Sequence, residues 1–152
     1  MFELYRVLLV IHISAAALAL GGSAGLLRHL RGALAVNVQA FQLATEDTVR
    51  RTKLMFLSGL VILATGLALI FVRGGFGAVP VQIHIALLIM LVWIAVSASL
   101  LRPTVAQLAE LGRASQLDSQ AIGKKFKRLA MSQGILHGCW LIMLVLMIYR
   151  GA

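Results

Sequence analysis

The chain has 152 residues, 61% of them hydrophobic and 12% charged, and its mean hydropathy of +0.96 lies far above that of a water-soluble domain. Such a composition calls for a bilayer as solvent, and one membrane domain covers residues 1–152. A net charge of +9 would point to nucleic acid in a soluble protein, but here it reports membrane topology, and no nucleic-acid partner is expected.

Four segments reach the roughly 20 apolar residues that a span requires: residues 7–27, 54–72, 81–101 and 129–149. The first contains "LLVIHISAAALALGGSAGLL". Its small residues resemble a secretory cleavage region, yet it is read as a retained span. Gly21 and Gly25 lie four residues apart, and Gly59 and Gly66 lie two turns apart in span two, spacings that let helices approach closely. In "LATEDTVRR", Thr45 is the expected N-cap of helix two, with Glu46 and Asp47 complementing the dipole. "RGGFGAVP", residues 73–80, is short enough only for a tight turn. "RPTVAQLAELGR" reads as an amphipathic continuation of helix three beyond Pro103, and Asp118 as the cap of the helix that runs through "KKFKRL" into span four. The expected fold is an all-α integral membrane protein, an antiparallel up-down-up-down four-helix transmembrane bundle.

The basic residues orient it. Arg28, Arg31, Arg50, Arg51 and Lys53 lie between spans one and two, and Arg102, Arg113, Lys124, Lys125, Lys127 and Arg128 between spans three and four. Against these eleven stand Arg6, Arg73 and Arg150 on the other side. Both long loops are therefore expected in the cytoplasm and both termini outside.

Ionisable residues within spans are costly and point to function. His12, His84 and His137 are the candidates, each with an interhelical hydrogen bond as the plain alternative, whereas His29 in "LLRHLRG" belongs to the headgroup level among arginines. At 1.5 Å per residue, His12 lies about 7–8 Å and His84 about 5 Å inside the outer boundary, while His137 lies about 18 Å from it. Spans one and three run parallel and face each other across a bundle core. His12 and His84 are thus the expected axial pair for one metal, with His137 as the alternative ligand or as a hydrogen-bonding partner of Gln133 one turn earlier. Ala15 and Ala16, on the His12 face, leave room for a flat macrocycle, and Ser14, Gln82, Ser58 and Thr65 are polar groups within reach of such a site. Arg6, Arg73 and Arg150 are the cations available to its carboxylates, or headgroup anchors.

Zinc is disfavoured, because the spans hold no carboxylate and no His-x-x-x-His pair. Cys139, Met143 and Met147 recur every four residues on one helix face, a soft-donor stripe that suits copper(I) or serves as apolar filler. No phosphate loop, nucleophile triad or carboxylate pair can be assembled, so catalytic residues are not assigned.

The patterns "IHISAAALALGGSAGLLRHL" and "VQIHIALLIMLV" resemble the small bacterial membrane protoporphyrinogen oxidases of the HemJ type and the related CopD-like four-helix membrane proteins. The resemblance implies four spans and a haem associated with His12. His84 stands where the enzymes carry a lysine, and "LLRHLRGALAV" replaces their proline–arginine element. Haem binding and the bundle are therefore carried over, and the reaction is not.

The expected function is that of a membrane b-type haem protein, an electron-transferring oxidoreductase linked to quinol or another donor. A divergent protoporphyrinogen oxidase is one alternative, and a copper-handling or structural membrane subunit another. The expected setting is a bacterial inner membrane, with the bilayer and a quinone or redox partner as contacts and room for a homo-oligomer. The charge distribution makes a direct forecast: single cysteines introduced near Ala35 and Ser115 are protected from an impermeant external thiol reagent, and one at Gly75 reacts. The reverse labelling pattern would invert the orientation.

Overall fold

A computed structural model describes residues 2–114 and 117–148. All regular structure among them is helical: α1 (Phe2–Ser23), α2 (Leu26–Val36), α3 (Val38–Val72), a 3-10 turn (Phe76–Ala78), α4 (Val81–Val96), a π-helical turn (Ser97–Leu101), α5 (Arg102–Arg113) and α6 (Ser119–Ile148). Four helical stretches are long and apolar enough to cross a membrane, Phe2–Val36, Val38–Val72, Val81–Arg113 and Ser119–Ile148. At 1.5 Å per residue each exceeds the roughly 30 Å of a hydrocarbon core, so several turns project beyond it. The end that carries α2, α5 and the start of α6 is called the basic end below; the other carries the 73–80 turn and is called the turn end.

Local chemistry sets the boundaries. Gly25 sits in the left-handed region at φ +73°, which only glycine enters without strain, and it separates α1 from α2. The expected N-cap Thr45 is corrected: α3 begins two turns earlier, where Asn37 Oδ1 accepts from the Ala40 amide at 2.7 Å. Thr45 lies inside the helix and donates its hydroxyl to the Gln42 carbonyl. Asp118 caps α6 as expected, its Oδ1 accepting from the Gln120 and Ala121 amides at 2.9 Å. The continuation past Pro103 also stands. Pro103 occupies the first turn of α5, directly after the wide π turn, where a missing amide and the ring are tolerated.

α1 packs antiparallel along α3, Tyr5 beside Arg73, His12 beside Thr65 and Gly22 against Met55. α4 packs along α6, and α5 bridges α3 and α6. The pairs α1 with α4 and α3 with α6 do not pack closely.

Burial is uneven. At the basic end Leu30, Phe41, Leu101, Leu108 and Leu129 are completely buried, and Phe41 meets Phe126 edge-on at 6.2 Å between ring centroids. Thr48 and Thr52 join this interior because their hydroxyls donate to carbonyls of their own helix, which leaves methyl groups to pack. Arg113 reaches Glu46 at 3.1 Å and Lys125 reaches Gln107 at 2.7 Å on the surface above it. In contrast α1 buries only Ala15, Ala19 and Ser23. Large apolar side chains such as Val10, Leu60, Leu88 and Leu141 are exposed, as a lipid-facing surface requires.

The glycines divide by role. Gly21 has open space around it, and Gly25 serves the helix break, so the expected close approach at this pair is corrected to Gly22, whose Cα faces Met55 and the Arg51 carbonyl. Gly59 receives the Trp93 ring so closely that any side chain would collide with it. Gly59→Ala is therefore expected to lower stability by about 1–3 kcal/mol through overpacking, read as a lower melting temperature in detergent. Gly21→Ala should leave the melting temperature unchanged or higher, and equal melting of the two variants would contradict the Trp93 packing.

Candidate functional site

Between the α1–α3 pair and the α4–α6 pair, toward the turn end, lies a cavity of about 500 Å³, within the range of small-molecule and cofactor sites. All four long helices line it. α1 contributes Tyr5, His12 and Ala16, α3 Gly66, the turn directly after it Arg73, α4 Ala86, Met90 and Trp93, and α6 Trp140, Met143 and Met147. The wall is apolar apart from His12 and from Tyr5 and Arg73 at the turn end.

His12 is held in one state by its neighbours. Its Nδ1 lies 2.9 Å from Thr65 Oγ1, and that hydroxyl donates to the Val61 carbonyl at 2.7 Å. In the tautomer that matches this donation, Nδ1–H donates to Thr65 and Nε2 carries the lone pair. Nε2 has no hydrogen-bond partner among the described residues, and the ring packs so close to Gly66 that a Cβ there would stand 3.3 Å from Cε1. An imidazole with Nδ1 tethered and Nε2 free is prepared for metal ligation. Of the polar residues considered near the site, Thr65 is the one that touches His12.

The remaining sequence candidates separate. Ala16 is on the wall, whereas Ala15 is buried in the helix packing and does not line the cavity. Arg73 lines it and donates Nη2 to the Tyr5 hydroxyl at 2.6 Å. Arg6 lies over the Phe2 ring and 3.6 Å from Glu3, away from the cavity. Arg150 lies outside the described residues. His84 does not line the cavity: its ring is 5.9 Å from that of Phe76, and its Nδ1 is buried without a partner. The structure therefore does not bring His12 and His84 together on one wall.

His137 belongs to a different cluster, where α1 ends. Its Nε2 lies 3.0 Å from Ser23 Oγ, and the Gln133 side-chain amide donates to the Ser23 carbonyl at 2.7 Å. His137 thus makes an interhelical hydrogen bond, as expected of it, but its partner is corrected from Gln133 to Ser23, on which both residues converge to satisfy polar groups exposed by the helix break. His29, expected at the headgroup level, stands half exposed with Nε2 4.0 Å from Asp47.

Sequence reading missed Gly66 as the seat of the His12 ring and Met90 as a wall residue. The four-residue rhythm of Met143 and Met147 was the signal available for the α6 wall. Cys139 lies one turn deeper, partly buried beside the core rather than on the wall. No protein-family model, curated protein or solved structure matches the chain.

The Ser23 cluster has a structural duty that can be separated from the cavity. Gln133→Leu should lower stability by about 1–3 kcal/mol, read as a lower melting temperature in detergent, because a buried carbonyl loses its donor. Wild-type melting of this variant would reverse that assignment.

Proposed function

We propose that the protein is a multi-pass membrane haem protein that transfers electrons, with one b-type haem in the cavity beside His12. The observation that carries this reading is the His12 imidazole, fixed by Thr65 with Nε2 free on the wall of a large apolar cavity. The surrounding residues fit the group. Ala16 supplies a small side chain on the wall, Gly66 seats the His12 ring, and Arg73 with Tyr5 supplies a cation and a hydroxyl where carboxylates would emerge. Haem, when bound, supplies a one-electron couple.

The chain's own residues do the rest. His12 binds through Nε2, and Thr65 orients the ring and prevents its rotation. The apolar wall excludes water, which favours the less charged redox state, and Arg73 opposes that charge at the turn end. The exposed apolar belt leaves the donor or acceptor to be a quinone or another membrane redox partner.

The bundle that goes with this reading is up-down-up-down, with both termini outside in a bacterial inner membrane. It is supported by the antiparallel contacts of α1 with α3, by the lack of close packing between α1 and α4, and by eleven basic residues at one end. The HemJ-like patterns around His12 support haem binding in the same way. A copper(I) role is favoured by one observation, that Met90, Met143 and Met147 line the same cavity as His12.

Expression with haem available, followed by a reduced-minus-oxidised spectrum, tests the proposal. A b-type α-band is expected in the wild type, lost in His12→Ala and weakened in Thr65→Val and Arg73→Gln. Stoichiometric copper(I) without any haem band would replace this reading by the copper one.

A further inference from the structure

We propose, building on the haem reading, that the axial donor opposite His12 is the Met143 thioether and that His84 is not a ligand. The first support is elimination. Apart from His12, the polar or soft side chains on the cavity wall are those of Tyr5, Arg73, two tryptophans and three methionines. Arginine and the indole offer no lone pair for a metal, and the Tyr5 hydroxyl already accepts from Arg73. Thioethers are the donors that remain, and they are established axial ligands of haem iron.

Depth then selects among the three. Ser23 meets Gln133 and His137 across the antiparallel α1–α6 contact. Moving from Ser23 to His12 along α1 therefore corresponds to moving from 133–137 to residues 144–148 along α6. Met147 falls within that level and Met143 one residue before it, within one turn. Met90 lies deeper: Trp93 packs on Gly59, whereas His12 packs on Gly66, two turns closer to the turn end.

Orientation decides between the last two. Met143 is partly buried and packed against the core cluster, whereas Met147 is 42% exposed. A flexible, unbranched side chain in that position adjusts to a ligand that a rigid histidine would have to meet with its own helix correctly rotated. The contrast with His84 is direct, because its ring stands against Phe76 rather than on the wall.

The experiment uses the full chain, loaded with haem in detergent or nanodiscs, and reads ligation by magnetic circular dichroism and the ferric sulfur-to-iron charge-transfer band. The wild type is expected to show that band. Met143→Leu, close in volume, should lose it and become high-spin while keeping haem through His12. Met143→His should convert the spectrum to the bis-imidazole type and lower the reduction potential, whereas Met147→Leu should keep the sulfur band and His84→Ala should match the wild type. A wild-type haem spectrum without the sulfur band overturns the Met143 assignment, as does its survival in Met143→Leu or its loss in His84→Ala. Absence of any His12-dependent haem band overturns the haem reading itself and the ligand assignment with it.

Discussion

Everything in this molecule depends on where water can drive helices together. Within a bilayer, lipid tails are as apolar as leucine, so helices gain nothing from hiding their side chains from the solvent. Outside it the hydrophobic effect operates in full. The burial pattern follows that division: Leu30, Phe41, Leu108 and Ile122, all outside the four apolar spans, are sealed at the basic end, while α1 buries three small residues. The long helices are clamped where they project and held more loosely where they cross.

That division explains how a cavity of about 500 Å³ persists among helices of a small protein. Collapse of the turn end would bring no hydrophobic gain, and the basic-end core fixes the helix directions independently. Two specific contacts keep the spacing. Trp93 wedges onto Gly59 at the foot of the cavity, and the Ser23–Gln133–His137 cluster ties α1 to α6. Between them the walls are separated without being unsupported.

Helix number, the tight turn, the Asp118 cap and the passage through Pro103 were legible because each has a local chemical signature. The start of α3 was misread because Thr45 carries a capping side chain, and the decisive feature was the extended backbone at Asn37, eight residues earlier. The site was legible in depth and not in rotation. Position along a helix follows from counting residues, so His12 and His84 could be placed at one level. Which way a residue faces is read from an apolar stripe, and α4, "VQIHIALLIMLVWIAV", is apolar on every side. Nothing in that run tells His84 to turn toward Phe76. The choice of Gly22 over Gly21 has the same origin, since two adjacent glycines differ by about 100° of rotation and not in composition.

Two intramembrane histidines in this chain use one device to opposite ends. Ser23 donates its hydroxyl to the Leu20 carbonyl as Thr65 does to that of Val61, and in the tautomers that match this pattern each hydroxyl accepts from its histidine. The nitrogen that donates carries the proton, and the other carries the lone pair. For His137 the donating atom is Nε2, at the tip of the side chain, so its reach is used up in joining α6 to α1. For His12 the donating atom is Nδ1, nearest the backbone, and the tip remains free beside the cavity. The same residue type therefore closes the structure at one depth and leaves a ring nitrogen without a protein partner beside the cavity at another, and the difference lies in which ring nitrogen a helix-bound hydroxyl holds.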